Sequence, residues 1–184
     1  MKKLLLIKIC FVLLITSFSS VYAEDCLGDN FATCLRLAKQ GHITAQYNLG
    51  VIYSGGLGVP QDYKEAVKWT KLSAVQGKME AQYNLGTHYI NGNGVPQDYN
   101  EAVKWLKLSA AQGYMKALNN LGAMYGEGNG VPQDIVMAHM YFNISGAKGN
   151  KLGIQNRDLA SQRMTLSQIE KAQELAREWV KTHK

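Results

Sequence analysis

Along this chain apolar residues return at helical spacing in two kinds of segment. After Gly41, residues Ala45, Leu49 and Tyr53 recur every four positions and, with Ile52, make one apolar stripe. Beyond Gly56-Leu57-Gly58-Val59-Pro60 a second stripe follows, Tyr63, Ala66, Val67, Thr70 and Ala74, flanked by Trp69. No strand-like alternation competes with either. Both stripes return 36 residues later: about 25 of the 36 positions in 41–76 are identical in 77–112, and a looser copy occupies 113–148. A fixed period of that size predicts a helical solenoid. A pair of helices of about 13 residues each cannot bury its apolar faces alone, whereas stacked neighbours share one continuous core.

The punctuation agrees with the stripes. Glu65 stands three residues after Asp62, and Glu101 three after Asp98, the spacing of a capping box at the start of each second helix. Gly77, Gly113 and Gly149 stand where a left-handed residue would end that helix. Gly50, Gly86 and Gly122 fall inside the first helix, at a cost of about 1 kcal/mol each against Ala, which points to close approach of a partner helix. Residues 30–40 align with 66–76, so half a repeat precedes the first whole one. Near the end, Thr165 and Gln168 form a further capping box, and Ile169, Ala172, Ala176, Trp179 and Val180 make a last apolar stripe. The expected organisation is a signal segment at 1–23, an arm and half-repeat helix at 24–40, repeats at 41–76, 77–112 and 113–148, and a divergent C-terminal cap at 149–184. The expected fold class is all-α.

The first 23 residues change how the charge is read. Met1-Lys2-Lys3, an apolar run beginning at Leu4, and Val21-Tyr22-Ala23 have the layout of a secretory signal peptide cleaved after Ala23. The apolar run is shorter than the roughly 20 residues of a spanning helix, so no membrane span is expected in the mature chain, which should be periplasmic or secreted. The formal net charge of +6 falls to about +3 without Lys2, Lys3 and Lys8, too mild to argue for nucleic acid or an anionic membrane surface. Cys10 leaves as well. Cys26 and Cys34 remain as the candidate pair for one disulfide in an oxidising compartment. On one continuous helix they would stand about 12 Å apart, too far to bridge. A helix starting at Asp29 or Asn30 would let the Cys26 arm fold back. The alternatives are that bridge or two separate thiols.

Ala45-Gln46-Tyr47-Asn48-Leu49-Gly50, the Gly56-x-Gly58-Val59-Pro60 turn, Asp62, and Glu65-Ala66 through Trp69 resemble the Sel-one-like repeat, a relative of the tetratricopeptide repeat. Asn156-Arg157-Asp158, Met164-Thr165 and Ala172-Gln173 to Trp179 resemble the C-terminal cap of its bacterial members. The resemblance implies antiparallel helix pairs in a right-handed α-α superhelix, of about three full repeats plus a half repeat and a cap. It implies work as an adaptor that binds other proteins, and no conserved chemistry. The third unit departs from the pattern, with Asn119 for Tyr47 and Tyr83, Ile135 for Tyr63 and Tyr141 for Trp69.

Candidate chemistry is sparse. Ser145-Gly146-Ala147-Lys148 has the Ser-x-x-Lys spacing of penicillin-recognising serine enzymes, but it aligns with Ser73 and Ser109 in the repeats, and no Ser-Asp-Asn or Lys-Thr-Gly motif accompanies it. Gly92-Asn93-Gly94 precedes a helix as a phosphate-binding turn would, yet it recurs in every full unit and lacks the Lys-Ser/Thr of a phosphate loop. His42, His88, His139 and His183 are scattered without ligand spacing. Neither a metal nor a cofactor is expected, and no catalytic residue is assigned. The leading function is therefore a non-catalytic interaction scaffold for another protein. The alternatives are a cell-wall-associated protein that binds or hydrolyses β-lactams, and a binder of peptidoglycan or another glycan.

With Leu49 at the centre of the buried stripe, the 100° helical step turns Tyr47 and Val51, flanked by Thr44 and Ser54, away from the partner helix. The equivalents are Glu80, Tyr83, Thr87 and Ile90 in the second unit and Lys116 and Asn119 in the third. In tetratricopeptide relatives this first-helix face lines the concave groove. These ten residues form the candidate partner-binding surface, with Tyr47 and Tyr83 as its aromatics.

Overall fold

The structure, a computed structural model, describes residues 31–183; the expected signal segment and the arm that carries Cys26 lie outside the described residues. These residues form nine helices and no strand: α1 (Phe31–Lys39), α2 (Ile43–Gly55), α3 (Tyr63–Val75), α4 (Met79–Asn91), α5 (Tyr99–Ala111), α6 (Met115–Glu127), α7 (Ile135–Ala147), α8 (Lys151–Ser161) and α9 (Leu166–Thr182). They fall into two compact units that divide between Gln76 and Gly77.

Each second helix starts on an aspartate. Asp62, Asp98 and Asp134 accept two backbone N–H bonds each from the first turns of α3, α5 and α7, satisfying donors that a helix N-terminus leaves open. The predicted capping boxes at Asp62 and Asp98 are only half made. The Asp62 N–H donates to Tyr53 O and the Asp98 N–H to Tyr89 O, so neither needs a glutamate. Glu65 instead accepts from the Trp69 indole at 3.0 Å and pairs with Lys68, while Glu101 pairs with Lys104. The box at Thr165 and Gln168 is complete in both directions.

The turn between paired helices is built the same way three times. Gly56, Gly92 and Gly128 are left-handed C-caps of α2, α4 and α6, a conformation that glycine adopts without a Cβ penalty. Gln61, Gln97 and Gln133 then donate back to Ser54 O, Ile90 O and Gly126 O at 2.6 to 2.8 Å. Together with the Asp N–H bonds these satisfy carbonyls at the end of the first helix.

In the first unit α1, α2 and α3 enclose Cys34, Leu37, Ala45, Leu49, Ile52 and Trp69. In the second, Ala102, Leu106, Leu118, Leu121, Met140 and Ile144 belong to one core that Ala176 of α9 completes. The internal glycines mark the closest helix contacts. A Cβ on Gly50 would collide with the Thr70 hydroxyl, one on Gly86 would stand 2.9 Å from Leu106 Cγ, and one on Gly122 would stand 2.5 Å from the Phe142 ring. The helix-propensity cost of these glycines is thus repaid by helix approach.

The end of the second unit departs from the repeat. Both α8 and α9 pack on α7. Gly153 of α8 stands where Ala45, Ala81 and Ala117 stand in the repeats, because a Cβ there would lie 2.8 Å from Gly146 N and 2.9 Å from Ser145 Cβ. Ala172 and Ala176 of the last stripe are buried, but Val180 is 45% exposed and faces out, contrary to the sequence pattern. It lies one turn beyond Ala176, where it flanks an open groove between α7 and α9.

Candidate functional site

The ten predicted surface positions occupy α2, α4 and α6. Nine are half-buried and Lys116 is exposed. The face is therefore partly covered in each unit, and within the second unit helix packing supplies the reason. The Tyr83 ring meets Tyr114 edge to face, with centroids 5.2 Å apart, and its side chain hydrogen-bonds Asn120 of α6. Burial pushes the Tyr83 phenol above its ordinary pKa of 10, and the bond to Asn120 partly offsets this. One repeat later, Asn156 of α8 donates to Asn119 Oδ1 at 3.0 Å. The Asn residue 37 positions downstream thus meets the Tyr83 and Asn119 position in both cases, joining first helices side by side.

The other members vary. Thr87 donates its hydroxyl to Asn84 O at 2.7 Å, and Glu80 pairs with Lys78 at 3.4 Å. Ile90 packs against the core of the second unit along with Tyr83. In the first unit Thr44, Tyr47, Val51 and Ser54 are all half-buried on α2.

The other chemistry-bearing residues are held in structural bonds. Ser73, Ser109 and Ser145 are fully buried and donate to Ile43 O, Met79 O and Met115 O at 2.7 to 2.9 Å, each across 30 residues. Ser145 is thus the third copy of a repeat-locking hydroxyl, its proton directed at a carbonyl. Gln76 and Gln112 add a matching bond to Gln46 and Gln82. In the third unit these positions are Lys148 and Leu118, so the amide pair has no counterpart there.

Cys34 is fully buried in α1, its Sγ 3.6 Å from Ala45 O; its proposed mate Cys26 lies outside the described residues. Two histidines are buried. His88 Nδ1 lies 3.0 Å from Asn93 O and so carries the proton it donates; burial lowers its pKa, with this bond opposing. His139 Nε2 lies 3.0 Å from Ser161 Oγ, whose own proton goes to Arg157 O, so Nε2–H is the donor. That leaves His139 Nδ1 as a buried acceptor with no partner among the described residues. Burial, then the nearby Arg157, lowers the His139 pKa, with Asp158 opposing. Among the described residues no three His, Cys, Asp or Glu side chains converge as a metal site would require, and no helix is long and apolar enough to cross a membrane.

Sequence reasoning passed over the Gln61, Gln97 and Gln133 clamps and the Asn120 and Asn156 bridges. Their signal was present, since each recurs at the 36-residue period, but recurrence does not reveal which distant atom a side chain meets.

The comparisons with known proteins accord with this architecture. The Sel1 repeat pattern matches residues 43–78, 80–114 and 116–150, within two or three residues of the helix pairs. One similar solved structure is a protective antigen present in uropathogenic Escherichia coli strains displaying an SLR fold. The two share 34% identity over 83% of this chain with a TM-score of 0.78, and the match covers 32% of that chain. Another is a Sel1 repeat protein from Oxalobacter formigenes, with 30% identity, a TM-score of 0.63, and coverage of 70% of this chain and 97% of that one. This chain therefore spans about a third of the length of the first relative. No curated protein matches it. With three matched repeats and the helix pairs that each predicts, the chain belongs to the Sel1 repeat family.

Proposed function

We propose that this chain is an exported, non-catalytic scaffold that holds a segment of another protein against the first-helix face of its repeats. The observation that carries the reading is the half-exposed first-helix face within each unit, on α2 in the first and on α4 in the second. Tyr47, Val51, Tyr83 and Thr87 are partly open there, on helices whose ends are bonded at both turns. A surface already ordered loses little conformational freedom on binding, so weak contacts suffice for specific capture. The Ser145 hydroxyl, which donates to Met115 O, is not poised as a nucleophile, and this speaks against the Ser-x-x-Lys reading. The signal-like first 23 residues support export, and a relative described as a protective antigen fits an exported location.

The test is capture of a partner from the native host by wild-type protein and by Val51→Arg and Thr87→Arg, which alter the first-helix face of each unit without removing a core side chain. Each should weaken capture by at least about 1 kcal/mol while leaving the unfolding midpoint nearly unchanged. Undiminished capture by the double variant would place the binding site elsewhere. Export is tested by intact mass: the mature chain should begin at Glu24, and retention of residues 1–23 would refute cleavage.

A further inference from the structure

A second surface lies within the Gly77–Lys184 unit, on a face that the repeat pattern does not mark. Between α7 and α9 runs an open groove of about 440 Å³, within the range of ligand-binding clefts. Its floor is apolar. Ile144 and Ala176 are 2% and 5% exposed there, and Ala147 and Val180 continue the apolar surface toward solvent.

The charge around this floor has one sign. Arg177 and Lys181 line it and no acidic residue does. Of the acids nearest in sequence on α9, Glu174 is engaged by Lys171 at 2.8 Å, although Arg177 also acts on it electrostatically. Glu178 is exposed beside Arg177 and is not among the lining residues. Neither lining cation makes an ion pair within 4 Å among the described residues. Asn143 and Gln173 add amide groups, one from each wall, able to meet the backbone of a bound chain.

We propose that this groove docks an extended acidic segment of another protein, in which an apolar side chain stands between two carboxylates. The spacing favours that occupant. Arg177 and Lys181 are four residues apart on one helix, about 6 Å along its axis. Side chains two residues apart in an extended segment are separated by about 6.6 Å and point the same way. Two carboxylates at that interval face Arg177 and Lys181 in register, and the apolar side chain between them points toward the α7 wall at Ala147. The surface is distinct from the first-helix strip, so the scaffold would hold two segments.

The experiment uses the purified mature chain and two fluorescent peptides, Gly-Glu-Leu-Glu-Gly and its uncharged counterpart Gly-Gln-Leu-Gln-Gly, read by polarisation at low and physiological salt. The acidic peptide should bind and weaken with salt, as exposed charge pairs do. Arg177→Glu with Lys181→Glu should lower its affinity about tenfold or more, since attraction becomes repulsion at two positions. Val180→Asp should weaken it as well. Lys64→Glu with Lys71→Glu, an equal change of net charge on exposed positions of α3, should leave it unchanged. Thermal midpoints of all variants check that folding is intact. Equal binding of the two peptides, no binding of either, or equal loss in the α3 variant would overturn the proposal. Binding of a free fatty acid or anionic vesicles in place of the peptide would also overturn it.

Discussion

Two glycines one turn apart in α6 should respond to the same substitution with opposite signs. A Cβ on Gly122 would stand 2.5 Å from both Phe142 Cδ1 and Cε1. Phe142 is 7% exposed, in a cluster with Ala138 and Ala160, so its ring has little room to retreat. Overpacking of this kind costs about 1–3 kcal/mol, and a gap well under 3.0 Å against a rigid ring belongs in the upper part of that range. Replacing a mid-helix glycine by alanine returns about 1 kcal/mol, so Gly122→Ala should be destabilising by about 1–2 kcal/mol net. A Cβ on Gly126 would meet only Ala138 Cβ at 3.6 Å, an ordinary contact. Gly126→Ala should therefore keep most of the helix gain, about 0.5–1 kcal/mol. At about 2–4 °C per kcal/mol for a chain of this size, thermal unfolding followed by circular dichroism should show the first midpoint falling and the second rising. A rise for Gly122→Ala would mean that α6 and α7 do not approach there, and a fall for Gly126→Ala would mean that the space beside it is filled.

Leu85 is fully buried in α4, so Leu85→Ala should cost about 2–5 kcal/mol in denaturant titration; an unchanged midpoint would place that helix face wrongly. Tyr83→Phe keeps the contact with Tyr114 but loses the bond to Asn120, at a cost of about 0.5–1.5 kcal/mol, and the wild-type phenol should titrate above 10 by ultraviolet absorbance. Thr165→Ala removes a complete capping box and should cost about 1 kcal/mol, read as a lower melting midpoint that Thr165→Ser largely restores. Because His88 and His139 both have lowered pKa values when folded, the unfolded chain takes up protons first as pH falls. Stability should be full above about 6.5 and decline as pH drops below it; denaturation midpoints equal at pH 7.5 and 5.5 would contradict the burial of both rings.

What the sequence by itself determined is whatever depends on local geometry or on the period. Asp62, Asp98 and Asp134 start helices because a capping carboxylate meets N–H groups two and three residues away. Gly77 and Gly113 end them through a left-handed backbone of φ 95° and 83°. The 36-residue recurrence carried the helix pairs, the inward Leu49, Leu85 and Leu121, and the expectation that Gly50, Gly86 and Gly122 mark close contacts. It also placed Ser145 with Ser73 and Ser109, though not the carbonyls that they reach. What only the tertiary structure decided is which partner each side chain meets, within its own helix or across an interface. Glu65 turns to Trp69 because a backbone carbonyl already holds the Asp62 N–H. Tyr83, which a helical wheel turns outward, is half covered because Tyr114 and Asn120 lie against it. Val180 looks like a core position at helical spacing, yet it faces solvent because α8 and α9 both pack on α7 in place of continuing the repeat. A wheel assigns direction relative to one helix axis, and burial depends on where the neighbouring axes lie, so Tyr83 and Val180 could be read only from the packed helices.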